Sequence, residues 1–69
     1  METIFHEENK AILISGADAD MVKISFEDQP LGDIPLTNGA GSICNVDAVG
    51  LGSKLIFELH KIETKEVVL

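Results

Sequence analysis

The sequence contains no arginine and only five lysines, against twelve aspartates and glutamates, which gives a formal net charge of −7. Lysine and arginine make the phosphate contacts of nucleic-acid complexes, and arginine is the commonest reader of base edges. The same basic residues draw proteins to anionic membranes. The charge balance therefore argues against direct nucleic-acid binding and against membrane binding, and a basic protein is the charged partner that would fit.

Cysteine and long apolar runs are also scarce. Cys44 is the single cysteine, so an internal disulfide is excluded. The longest aliphatic run, Ala11–Ile14, is far shorter than the roughly 20 apolar residues of a membrane-spanning helix. The N-terminal residues Met1–Glu8 carry acids where a secretory signal has basic residues. We therefore expect a cytoplasmic or otherwise intracellular protein with no signal peptide and no transmembrane segment.

The motifs of common enzymes and ligand-binding proteins are missing. No serine lies in a G-x-S-x-G turn, and neither a dinucleotide fingerprint nor a P-loop is present. His6 and His60 lie at opposite ends of the chain, and Cys44 has no second cysteine at metal-ligand spacing. We predict that the protein is not an enzyme and has no catalytic residue, metal or cofactor. Cys44 has apolar neighbours and is expected to be a small buried side chain.

The apolar content is high for so short a chain. With 69 residues, we expect one small β domain over residues 1–69, and such a chain buries only about 60% of its unfolded surface. Yet 45% of the residues are apolar before the six glycines are counted, whereas ordinary globular chains reach about 45–50% with glycine included. Without a disulfide, the remaining ways to support a small core are a metal or burial against other subunits. Composition therefore favours a homo-oligomer.

The periodicity of the chain predicts an all-β fold. In residues 53–62, Leu55, Phe57 and Leu59 alternate with Ile56, Glu58 and His60, which is the pattern of a strand with one buried face. A helix beginning at Ser53 is the alternative. Further strands are predicted at 3–6, 10–15, 21–27, 43–49 and 67–69, with turns at 28–32 and at Asn38-Gly39, and with 33–36 at a sheet edge or in a loop. Five or six short, mostly antiparallel strands predict a small sandwich or barrel.

The leading functional hypothesis follows from apolar residues on the second face of the C-terminal strands. Ile56, Ile62 and Val68 lie on that face, which a single small sheet leaves uncovered. We therefore expect a non-enzymatic protein-protein interaction or assembly module that pairs with copies of itself, with these three residues at or near the interface.

Two other classes of function remain open. The first is a small acidic inhibitor that occupies a basic site on another macromolecule, because residues 1–35 hold eight acids and only two lysines. Its partner surface would include Glu7, Glu8, Asp18 and Asp20. The second is a small anionic-ligand binder with its site at glycine loops between subunits, formed by Gly50, Gly52, Ser53 and Lys54. Loss of binding with salt would indicate an inhibitor. Loss of binding on changing the face formed by Leu55, Phe57 and Leu59 would indicate an assembly module.

Overall fold

Buried and exposed side chains alternate along the strands, and they do so most regularly in Lys54–Leu59. In this segment Leu55, Phe57 and Leu59 are buried, and the residues between them are exposed. The computed structural model describes the backbone of residues 1–60 and 63–69 and the side chains of 1–60 and 66–69. Its strands are β1 (Glu2–His6), β2 (Ala11–Ser15), β3 (Met21–Phe26), β4 (Gln29–Pro35), β5 (Gly41–Ile43), β6 (Lys54–Leu59) and β7 (Glu63–Val68).

The strands form two antiparallel sheets, which confirms the all-β prediction. One sheet has the order β1-β2-β5 and the other β4-β3-β6-β7. They share one hydrophobic core, and its largest fully buried side chains are Phe57, Ile12, Ile24, Ile34, Leu55 and Val22. This arrangement is compatible with a sandwich, and the described strands do not close into a barrel.

A tight turn between β4 and β5 connects the two sheets. Asn38 and Gly39 both have positive φ (52° and 77°), as a two-residue hairpin turn of type I′ requires. The Thr37 N–H donates to the Ala40 carbonyl (2.8 Å), and the Ala40 N–H donates back (3.0 Å). The Ala17 N–H of the β2–β3 loop also donates to the Gly39 carbonyl (3.0 Å). The turn predicted from Asn38-Gly39 is therefore present, and it is held against a second loop.

The strand predicted over 43–49 is wrong beyond its first residue, because β5 ends at Ile43. Asn45 has a left-handed backbone (φ 60°), which a continuous strand does not permit. Its N–H donates to the Asn9 carbonyl (3.2 Å), and the next N–H, of Val46, donates to the Lys10 carbonyl (3.0 Å). These bonds tie the segment to the β1–β2 turn, and buried Val46 anchors the loop to the core.

Most of residues 28–36, predicted as a turn (28–32) and as a sheet edge or loop (33–36), belong to β4. The described residues therefore form seven strands rather than five or six. The turn itself is shorter and lies at Glu27 and Asp28, whose φ angles are both positive (51° and 64°). β4 is an edge strand, and for this reason it accommodates Pro30 and Pro35.

The alternative prediction of a helix over 53–62 is wrong for residues 54–59, because they form the strand β6 and pair with β3 and β7. Ile62, the remaining apolar residue of that segment, lies outside the described residues.

Candidate interaction surfaces

The outer face of the four-stranded sheet carries two of the predicted interface residues. Ile56 on β6 is 38% exposed and Val68 on β7 is 58% exposed. The register sets Ile56 opposite Ser25 and Glu66, and Val68 opposite Lys54. Ile56 and Val68 are therefore diagonal neighbours on one side of the sheet, within reach of each other's side chains. We call this surface, formed by Ser25, Lys54, Ile56, Glu66 and Val68, the Ile56 face.

Charged groups of both signs border the Ile56 face. Lys23 on β3 lies in register with Asp33 on β4 and with Glu58 on β6. These three side chains, together with Ile24, Ser25, Asp28, Pro30 and Ile56, line a shallow depression of about 280 Å³. This volume is close to the lower end of the range for small-molecule pockets, about 300–1,000 Å³. An apolar centre with a polar rim is also the usual anatomy of a protein-protein interface.

The edge strand β1 exposes a second apolar residue on a regular strand. Glu2, Ile4 and His6 are exposed, whereas Thr3 and Phe5 are half-buried, so the strand alternates cleanly between its two faces. Ile4 is 52% exposed and lies opposite half-buried Leu13 of β2. Within the described part of the chain, β1 pairs with β2 alone. Its other side is therefore an open sheet edge.

The glycine loop, which the sequence suggested as an anion site between subunits, uses several of its backbone donors within the subunit. No helix begins there, so a helix N-terminus does not contribute. The Gly50 N–H donates to Ser53 Oγ (3.0 Å), and the Ser53 N–H donates to the Gly50 carbonyl (3.1 Å). The Gly52 N–H donates to the Leu69 carbonyl (2.6 Å). These three backbone donors are thus engaged within the protein. Two cationic groups lie nearby: Lys54, the exposed first residue of β6, and Lys10, whose Nζ donates to the Val49 carbonyl (3.2 Å).

The four acidic residues of the inhibitor hypothesis are exposed but do not form one patch. Glu7 and Glu8 lie in the turn between β1 and β2, whereas Asp18 and Asp20 lie in the loop between β2 and β3. The two pairs are therefore at opposite ends of β2, a five-residue strand about 14 Å long. A partner would have to cover the whole length of the sheet to contact both pairs.

The candidate metal ligands are dispersed. Among the described residues, no three His, Cys, Asp or Glu side chains lie close enough together to hold a metal ion. Cys44 is exposed, contrary to the expectation that it is buried, because it follows half-buried Ile43 and falls on the same outward side as Ser42. The nearest side-chain partner of its Sγ is Asn45 Nδ2, at 3.7 Å.

Comparison of the chain with models of known protein families, with curated proteins and with solved structures gave no match. The part of the chain that the structure describes contains no helix long and apolar enough to cross a membrane.

The sequence pattern predicted two residues of the Ile56 face, but it did not predict β1 as an interaction surface. Ile56 interrupts the polar side of an alternating strand, and Val68 belongs to an apolar run, Val67–Leu69, that leaves apolar groups on both sides of its strand. Ile4 has the same signal in Glu2–His6, where it stands between two polar residues. What the sequence could not show is that the neighbouring edge is unpaired, because strand order is a property of the assembled sheet.

Proposed function

We propose that this protein is a non-enzymatic interaction module that assembles with copies of itself through the Ile56 face. The observation that carries the proposal is the adjacency of two exposed aliphatic side chains, Ile56 and Val68, on a regular sheet surface inside a rim of mixed charge. A rim containing both lysines and acids is self-complementary when the same surface meets itself across a twofold axis.

The apolar energy available at this face is modest. Complete burial of an isoleucine or valine side chain is worth about 1.5–3 kcal/mol, so covering the exposed fractions of Ile56 and Val68 contributes about 2 kcal/mol per subunit. A twofold dimer gains about twice that amount, whereas association costs at least about 4 kcal/mol in lost freedom. Stable self-association therefore needs the polar rim or a further contact in addition to these two side chains.

The acidic-inhibitor alternative has less support, because its two acidic pairs lie at opposite ends of β2. Binding to a basic partner predicts steep salt dependence, whereas apolar self-association predicts little.

The experiment that tests the proposal is measurement of the native mass by sedimentation equilibrium over micromolar concentrations. We expect a particle of at least twice 7.4 kDa. Ile56→Asp should lower that mass, because it places a charge at the centre of the interface. Leu51→Asp is the matched control, since Leu51 is 66% exposed in the turn before β6 and off the sheet face. A wild-type chain that remains a monomer up to hundreds of micromolar would overturn the proposal.

A further inference from the structure

We infer that β1 is a second self-association surface, at which two copies of the chain pair their β1 strands antiparallel with Ile4 opposite Ile4. The inference rests on the proposed function, and it specifies a contact other than the Ile56 face. The product is a continuous six-stranded sheet in which the two β1 strands lie side by side at the centre.

The first reason is that β1 is the least protected of the four edge strands. An unpaired edge offers free N–H and C=O groups to another strand, and natural sheets block it with proline, charge, bulges or short length. Of the other edges among the described strands, β4 contains Pro30 and Pro35, β5 has three residues, and β7 begins Glu-Thr-Lys-Glu. By contrast, β1 has five residues without proline, its one carboxylate, Glu2, stands at the end of the strand, and its register with β2 has no shift.

The second reason is that the sequence of β1 is complementary to itself about Ile4. In an antiparallel pair related by a twofold axis, opposing residues lie on the same face of the sheet. With Ile4 at the centre, Glu2 lies opposite His6 of the second copy, and Thr3 lies opposite Phe5. A carboxylate and an imidazole N–H are an acceptor and a donor, and this match occurs twice in the dimer. Shifting the register by two residues would set Ile4 against Glu2 or His6 and lose the match.

The third reason is the apolar surface that the pairing covers. Ile4, 52% exposed, lies beside half-buried Leu13 on the outer face of the three-stranded sheet. Pairing two β1 strands joins these residues to their counterparts, which makes one strip of four aliphatic side chains between the two Glu2–His6 pairs. On the inner face, half-buried Phe5 gains Thr3 of the second copy as a cross-strand neighbour.

The test substitutes the exposed side chains of Glu2 and His6, which lie outside the core of the subunit. His6→Glu places two glutamates opposite each other at both ends of the pairing, and should weaken the contact between the two β1 strands roughly tenfold or more. The double variant Glu2→Lys with His6→Glu restores opposite charges and should recover the wild-type association constant. His6→Lys keeps the complementarity and should associate as the wild type does. Leu51→Asp again serves as the control for an added surface charge.

The readouts are sedimentation equilibrium and amide hydrogen exchange of residues 2–6, which should slow as protein concentration rises. If the two twofold contacts are independent, Ile56→Asp should leave a dimer held by β1, and His6→Glu should leave a dimer held by the Ile56 face. The double variant with both substitutions should be a monomer. A self-associating chain whose mass and β1 exchange are unchanged by His6→Glu would overturn the inference while the proposed function stands. A monomeric wild-type chain would overturn both.

Discussion

Substitution of Gly39 by alanine is the sharpest test of how the two sheets are joined. Gly39 has φ +77°, and a Cβ added there would lie 2.4 Å from the Ala17 carbonyl oxygen and 3.0 Å from the Ala17 nitrogen. Both atoms belong to the backbone, so no side-chain rotation relieves the overlap. The β2–β3 loop would have to move away from the turn.

The expected loss of stability has three parts. A left-handed backbone at a residue with Cβ costs about 1–2 kcal/mol. Weakening of the 3.0 Å bond from the Ala17 N–H to the Gly39 carbonyl costs about 1 kcal/mol. Overpacking against a rigid neighbour adds about 1–3 kcal/mol. We therefore expect Gly39→Ala to lower the free energy of unfolding by about 3–6 kcal/mol, a large part of what a chain of this size possesses.

Gly52→Ala is the matched control. Gly52 also has positive φ (+90°), but a Cβ there would meet no heavy atom within 4 Å. It should therefore cost only the conformational term, about 1–2 kcal/mol. Gly39→Asn is a second control, because asparagine tolerates the left-handed backbone but still carries a Cβ. The free energy of unfolding of Gly39→Asn should therefore remain well below that of the wild type.

The assay is urea unfolding followed by far-UV circular dichroism, with protein concentration held fixed because self-association adds to apparent stability. The difference between Gly39→Ala and Gly52→Ala isolates the contact with Ala17. Equal losses in the two variants would refute the reasoning, because they would mean that the approach of the turn to the β2–β3 loop has no energetic consequence.

Two further predictions concern the core and the β3–β4 turn. Phe57 is fully buried, so Phe57→Ala should cost about 3–5 kcal/mol and leave much of the chain unfolded at 25 °C, which dispersion of the amide proton spectrum would reveal. A well-dispersed spectrum with a wild-type melting temperature would contradict the position of Phe57 at the centre of the core. Glu27 and Asp28 both adopt positive φ, so the double substitution Glu27→Asn with Asp28→Gly should stabilise the protein by about 1–2 kcal/mol. That gain should raise the melting temperature by at least about 4 °C, and an unchanged or lower value would argue against a type I′ turn there.

Features that depend on neighbouring residues in the chain could be predicted from the sequence. The alternation in Lys54–Leu59 requires one buried face whatever packs against it, and Leu55, Phe57 and Leu59 are buried as expected. Asn38-Gly39 forms its turn because these two residues tolerate positive φ better than others do. The absence of arginine and of a second cysteine likewise limits the chemistry of the chain without reference to its fold.

Features that depend on distant residues were decided by the tertiary structure. Ile43–Val49 reads as a strand, but backbone bonds from Asn45 and Val46 to the β1–β2 turn bend it into a loop and leave Cys44 exposed. Pro30 suggested a turn, and Pro35 a sheet edge or a loop. Both lie in a strand, β4, which accommodates them because it is a sheet edge with one unpaired side. The open edge of β1 could not be predicted from the sequence either, because it too depends on strand order. Strand order determines which backbone N–H and C=O groups have no partner, and it arises only when residues far apart in sequence pair.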